Sequence, residues 1–240
     1  MTTRKQKLKK NKITFVSNID GIYEHKELHP QPTKLITPEW FKNMPHDAVK
    51  NKKIKLLNEM KTIRMCPSFV DIFKEGYVLV APCDYWFKVD KDGNWEWSTP
   101  DNQLKVEIHE DEQFKNYLPN NKVKKVFKLL SPFSAITPKG WSVRQIPMIY
   151  EFNDDWQVAY GVLNTDVEHE LNQQILFTST SEEILIKKGT PLNYIVPFKR
   201  SNKLSHIVVE PNDEIKRIIN KSRRLVRSSF KSSLPYYRNS

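Results

Sequence analysis

Cysteine is almost missing from this chain: Cys66 and Cys83 are the only two in 240 residues. They are too few for a disulfide framework and too far apart for a CxxC motif, so neither a secreted scaffold nor a zinc ribbon is expected. A reducing compartment is the default. Glycine is scarce as well, with six residues, Gly21, Gly76, Gly93, Gly140, Gly161 and Gly189, that nowhere cluster. No phosphate-cradling loop of successive backbone amides, no Walker-type run and no dinucleotide fingerprint can be built from them. Long apolar runs are also lacking. The first one, residues 13–16, is too short for a signal-peptide core, and nothing approaches the ~18–20 apolar residues that span a bilayer. The chain is therefore expected to be soluble and intracellular, or packaged from an intracellular pool, with no membrane span. Among six histidines none stands in HExxH, HxH or a Cys/His array, and no cofactor or metal is expected.

What is present suffices for a core. A chain of 28.4 kDa with 38% hydrophobic and 11% aromatic residues excludes wholesale disorder and allows one large domain or two small ones. The net charge of +11 is unevenly spread. Arg4, Lys5, Lys7, Lys9, Lys10 and Lys12 open the chain without an acid. Lys216, Arg217, Lys221, Arg223, Arg224, Arg227, Lys231 and Arg238 close it in the same way. These fourteen bases leave 25 against all 28 acids between them, so the body carries −3 and the basicity belongs to the two ends. The organisation expected is a basic tail over 1–12, a mainly-β domain over 13–210, and a basic helix with its tail over 211–240.

Short β-rich runs dominate the body, and proline, with fifteen residues in the chain against six glycines, is the commoner punctuation. Strands are expected over 13–17, 77–80, 85–89, 94–98, 104–108, 126–130, 141–150, 157–163, 174–177, 192–198 and 204–209. Their number and spacing point to a β-sandwich or barrel core with short N-terminal helices. One helix should follow Thr37-Pro38, with the Thr37 hydroxyl as N-cap, and another should follow Cys66-Pro67 and end at a left-handed Gly76. A hairpin over 85–98 should turn on Lys91-Asp92-Gly93, with Val89 facing Trp95 and Phe87 facing Trp97. That register gathers Tyr85, Phe87, Val89, Trp95 and Trp97 on one face, either a core layer or an exposed stacking platform for bases or sugars. His109 falls in a polar run expected to be solvated. His25 and His29 lie between loop signals rather than on a helix.

After Pro211, Asn212 or Asp213 can cap a helix whose Ile215, Ile218, Ile219, Leu225, Val226 and Phe230 recur at helical spacing. Lys216, Arg217, Lys221, Arg223, Arg224 and Arg227 occupy most of the remaining circumference. Two readings stay open. The helix docks on the body with a solvated basic face, or it contacts nucleic acid, an acidic partner protein or a membrane surface. Tyr236 and Tyr237 in the extended end are candidates for insertion into a neighbour.

Three segments in order, Pro138-Lys139-Gly140-Trp141, Gly161-Val162-Leu163-Asn164-Thr165-Asp166 and Ile186 through Gly189 to Ile195, resemble the second half of the trimeric dUTPase and dCTP deaminase β-barrel over about 132–200. The resemblance implies a dUTPase-like barrel. In that family an aspartate at the position of Asn164 orients the attacking water, and Asn164 cannot act as a base. The tyrosine that follows is replaced by Val167, Glu168 and His169, and the glycine-rich C-terminal phosphate motif is missing. Asp166, displaced by two residues, lies about 7 Å away if the strand continues. The chain resembles more closely a largely uncharacterised family of phages and marine bacteria, through Thr37 to Pro45, Arg64 to Phe69, Gly76-Tyr77, Ser131-Pro132-Phe133, Gly161 to Asp166 and Gly189 to Arg200. That family brings no assigned activity.

Together these features lead to the expectation of a non-enzymatic, oligomeric phage structural or accessory protein. It is fastened to a capsid, neck or tail by the basic ends, in the virion or the host cytoplasm, with other virion proteins or copies of itself as partners. The first alternative is a nucleotide-binding or nucleotide-hydrolysing enzyme on the same barrel, with Asp154, Asp155, Asp166, Glu168 and His169 as its polar candidates. The second is a nucleic-acid-binding protein acting through the tails.

Overall fold

The computed structural model describes residues 12–46, 62–100, 102–115, 122–148, 150–151, 153–201, 205 and 207–231, with 67 and 223–231 described by their backbone. The fold is mainly β. Its strands are β1 (Thr14–Val16), β2 (Gln31–Pro32), β3 (Tyr77–Val80), β4 (Tyr85–Val89), β5 (Trp95–Ser98), β6 (Val106–His109) and β7 (Lys125–Leu129). They continue with β8 (Ser134–Ile136), β9 (Trp141–Pro147), β10 (Trp156–Val158), β11 (Gly161–Leu163), β12 (Gln173–Phe177), β13 (Glu183–Ile186) and β14 (Pro191–Lys199). The helices are α1 (Glu39–Asn43), α2 (Pro67–Val70) and α3 (Asp213–Lys231). Two compact units emerge, one from residues 1–36 and 76–202, the other from 37–75 and 203–240.

In the first unit the described strands form four antiparallel sheets, ordered β1-β8, β10-β12-β7-β6, β11-β9-β14-β3-β2 and β13-β4-β5, none of which closes on itself. Alternation in the sequence decides how each is covered. Strand β4 reads Tyr-Trp-Phe-Lys-Val and buries every second residue, so Tyr85, Phe87 and Val89 enter a core with Phe127, Ile175, Phe177, Ile184 and Ile186. Strand β3 buries Val78, Leu79 and Val80 in succession, because its sheet is covered on both faces. Leu79 joins Ala135, Val143, Leu171 and Ile195 on one face, while Val78 and Val80 join Leu28 and Tyr194 on the other.

The 85–98 hairpin has the expected register, Val89 opposite Trp95 and Phe87 opposite Trp97, with Gly93 left-handed at φ 84°. Its aromatic row is mostly core. Trp95 alone remains exposed, with the buried Lys125 ammonium 5.7 Å from its ring centre. The Asp90 carboxylate accepts the backbone amides of Asp92 at 2.9 Å and Asn94 at 2.8 Å, which makes the loop a turn built on its own aspartate.

Several expected elements move. The run 157–163 is two strands: β10 pairs with β12, then the chain crosses at Ala159-Tyr160 and β11 pairs with β9 in another sheet. Among the described residues of 204–209 no strand forms; β-branched side chains favour a strand only where a neighbour supplies the ladder, and Ile207 and Val208 stand exposed. Pro38, not Thr37, holds the N-cap position of α1. His109 is half-buried: its Nδ1 lies 3.1 Å from Gln113 Oε1, and its Nε2 is buried without a hydrogen-bond partner. His25 and His29 flank the short 3-10 turn Lys26–Leu28, as the prolines imply.

In the second unit Phe41 of α1 is buried, with its ring 5.6 Å from Phe69 and 4.9 Å from Phe73. The Arg64 guanidinium donates to the carbonyls of Lys42 at 2.6 Å and Met44 at 2.7 Å, satisfying acceptors that the end of a five-residue helix leaves open.

Candidate functional site

The dUTPase resemblance directs attention to the end of β11, where the chain turns instead of extending. The amides of Val167 and Glu168 both donate to the Asn164 carbonyl, at 2.8 and 2.9 Å. The two-residue displacement between Asn164 and Asp166 is therefore not the extended 7 Å, and both side chains reach a single cation, Arg200, just beyond β14. Arg200 grips Asp166 in a fork, NH1 to Oδ1 at 2.8 Å and NH2 to Oδ2 at 2.6 Å. Its NH1 also lies 2.7 Å from Ser142 Oγ, 3.1 Å from the Trp141 carbonyl and 3.2 Å from Asn164 Oδ1. One nitrogen with two protons faces four acceptors, so its hydrogen bonds are shared.

The remaining partners close the network. Gly140 N–H donates to Asp166 Oδ2 at 2.8 Å, Ser142 Oγ donates to Asn164 Oδ1 at 2.8 Å, and Arg200 N–H donates to the Gly140 carbonyl at 2.9 Å. The Asp166 side chain is only 5% exposed. Hydrogen bonding from Arg200, then from the Gly140 amide, holds its carboxyl down at about 2. A carboxylate this well satisfied is a poor base and has few lone pairs left for a substrate. The arrangement joins the turn after β8, the turn after β11 and the end of β14. It is a clamp.

The other polar candidates do not converge on it. Asp155 accepts from Ser179 Oγ at 2.6 Å, the Asp154 carbonyl accepts from Thr178 Oγ1 at 2.8 Å, and Glu168 is exposed. His169 Nδ1 lies 2.9 Å from the Thr165 carbonyl, tethering the same turn from behind. Among the described residues no three His, Cys, Asp or Glu side chains come together as a metal site. Sequence reasoning missed Arg200, which stands 34 residues from Asp166 and was marked only as the end of a resembling segment.

A cavity of about 430 Å³ opens between β9, β10 and the start of β14, lined by Pro147, Met148, Glu151, Trp156 and Leu192 among others. Among the described lining residues Glu151 alone is charged. Nearby on β14 the Asn193 amide and the Tyr194 hydroxyl are buried without hydrogen-bond partners, and burial, with Glu151 and Tyr150 adding, pushes Tyr194 up to about 12.

The basic ends are placed in part. Arg4, Lys5, Lys7, Lys9, Lys10, Tyr236 and Tyr237 lie outside the described residues, and Lys12 is exposed. Lys216, Arg217 and Lys221 are exposed on α3, whose backbone continues helical through Arg223, Arg224 and Arg227. The Asn212 side chain caps it, accepting the Ile215 amide at 2.9 Å, so the helix starts where the sequence indicated. Ile218 and Ile219 are exposed as well. No described helix is long and apolar enough to cross a membrane.

No protein-family model matches the chain, and no curated protein does. Among solved structures it is similar to the native EIAV dUTPase, at 8% identity and a TM-score of 0.34, over 58% of this chain and 87% of that one.

Proposed function

We propose that this chain is a non-enzymatic accessory protein that attaches to a larger assembly through its basic ends, a virion capsid, neck or tail being the assembly in view. The observation that carries the proposal is α3: a capped helix of 19 residues on which Lys216, Arg217, Lys221, Ile218 and Ile219 are exposed together. A body whose Asn164, Asp166 and Arg200 are spent on one another supports the same reading. The finer arrangement, a dUTPase-like barrel half over 132–200, belongs to this proposal; the adjacency of β11, β9 and β14 in one sheet supports it.

Mass spectrometry and sedimentation of purified particles test the attachment. The intact chain should travel with the particle and a chain ending at residue 210 should not; absence of the intact chain from particles would refute it. The cavity beside Trp156 favours a second reading, a binder of small molecules or nucleotides. Incubation with deoxynucleoside triphosphates and a divalent metal should then release pyrophosphate or raise the melting temperature, whereas the attachment reading expects neither.

A further inference from the structure

Helix α3 presents two kinds of surface at once. Within its first ten residues Ile215, Ile218 and Ile219 form a row at i, i+3 and i+4, with Ile218 61% and Ile219 39% exposed. The approach to the helix adds Ile207, Val208 and Val209, which are 82, 93 and 53% exposed. The sequence continues the row with Leu225 and Val226 at the same spacing along a backbone that stays helical to Lys231. Lys216, Arg217 and Lys221 are exposed too, Arg223, Arg224 and Arg227 follow in the sequence, and the only acids, Asp213 and Glu214, sit in the first turn.

Each kind of partner must answer both surfaces. The phosphates of a nucleic acid neutralise the cations but leave the isoleucine row in water. A second copy of the helix covers the row but brings two sets of seven cations together with no facing acid beyond the first turn. A bilayer rich in anionic lipid does both: its headgroups meet the Lys/Arg face and its acyl boundary takes the apolar row. We infer that α3 lies along the surface of an anionic membrane, its isoleucine row sunk into the headgroup boundary. A strongly amphipathic helix, basic on its polar face and low in overall hydropathy, has the form of an interfacial helix and not of a spanning one. At about 1.5 Å per residue it covers roughly 28 Å of surface. This inference rests on the reading of α3 as the attachment element and makes anionic lipid, in place of a capsid, neck or tail protein, the surface that the helix meets.

Flotation of the full chain with vesicles tests it. The intact protein should float with vesicles of phosphatidylcholine mixed with phosphatidylserine, stay behind with phosphatidylcholine alone, and be released as salt is raised. The triple reversal Lys216→Glu, Arg217→Glu, Lys221→Glu should weaken vesicle partition by at least about a hundredfold. The pair Ile218→Asn, Ile219→Asn keeps the charge and should weaken it by at least about tenfold. An intact chain that fails to float, or an isoleucine variant that floats like wild type, overturns the inference. A gel shift of duplex DNA unaffected by the isoleucine changes, in a chain that does not float, would make the partner nucleic acid. Self-association in sedimentation that the isoleucine changes abolish, in a chain that does not float, would make it a second copy. In both cases attachment through α3 survives and the lipid does not. A chain ending at residue 210 that floats like the intact protein overturns the lipid inference, while attachment through α3 is judged separately by sedimentation with particles.

Discussion

Replacing Gly76 by alanine should be among the most damaging single-methyl changes available in this fold. Gly76 enters β3 at φ 77°, a left-handed conformation that costs a residue with a Cβ about 1–2 kcal/mol. An alanine Cβ there would lie 2.4 Å from the Ile195 carbonyl oxygen and 3.2 Å from Val196 Cα. Both are backbone atoms of β14, which is held between β9 and β3 and cannot withdraw without breaking two ladders. Overpacking of this kind costs about 1–3 kcal/mol, and the reduced freedom of the unfolded chain returns about 0.4–1 kcal/mol. The net is a loss of about 2–4 kcal/mol, or about 5–15 °C in melting temperature for a chain of this length. Thermal unfolding followed by circular dichroism measures it. Gly93→Ala isolates the conformational part, since φ is 84° there and no atom lies within 4 Å of the added methyl; it should lower the melting temperature by only about 2–6 °C. Gly161→Ala has neither penalty and keeps the gain from the unfolded chain, so it should melt about 1–4 °C above wild type. If Gly76→Ala and Gly93→Ala melt at the same temperature, the close approach of Gly76 to β14 is wrong.

Other expectations follow from the clamp and the cores. Asp166 has a folded pKa of about 2, below the usual 3.8, so the stability it contributes is present above about pH 4 and disappears as the pH falls through 2. Asp166→Asn should therefore melt below wild type at pH 6, with a gap that narrows below pH 4 and closes near pH 2; a gap independent of pH would refute the charged clamp. The buried Lys125 ammonium pairs with Asp111 at 2.9 Å, so Asp111→Ala, which strands it, should cost about 3–5 kcal/mol in a denaturant titration, while Lys125→Met should be near neutral. Phe87 is fully buried with its ring 4.5 Å from Phe127, and Phe87→Ala should cost about 3–5 kcal/mol by the same titration; the exposed Leu185→Ala serves as the comparison.

The parts of the fold that were legible in the sequence are those where local chemistry and tertiary pairing agree. The 85–98 hairpin is the clearest, because alternation chooses the faces and Gly93 supplies the one residue suited to its turn. The 157–163 run was not legible as two strands, since its apolar character persists across the crossing from one sheet to another and only the partners differ. Ile207, Val208 and Val209 show the converse: their β-branched composition is real, but propensity without a neighbouring strand makes no ladder. The start of α3 could be read from Asn212, whereas the exposure of Ile218 and Ile219 could not, since helical spacing is the same for a docked face and a free one. At the candidate site Asn164 was legible as the loss of a base. The fork between Asp166 and Arg200 was not, because pairing over 34 residues depends on the turn after β11 and leaves no periodic trace in the chain.

The attachment account is tested most directly by comparing the intact chain with one ending at residue 210 for sedimentation with purified particles at low and high salt. The account predicts that the intact chain sediments at low salt and is released at high salt, while the shortened chain, folded by circular dichroism, stays in the supernatant at both. Sedimentation of the shortened chain equal to that of the intact one would contradict it.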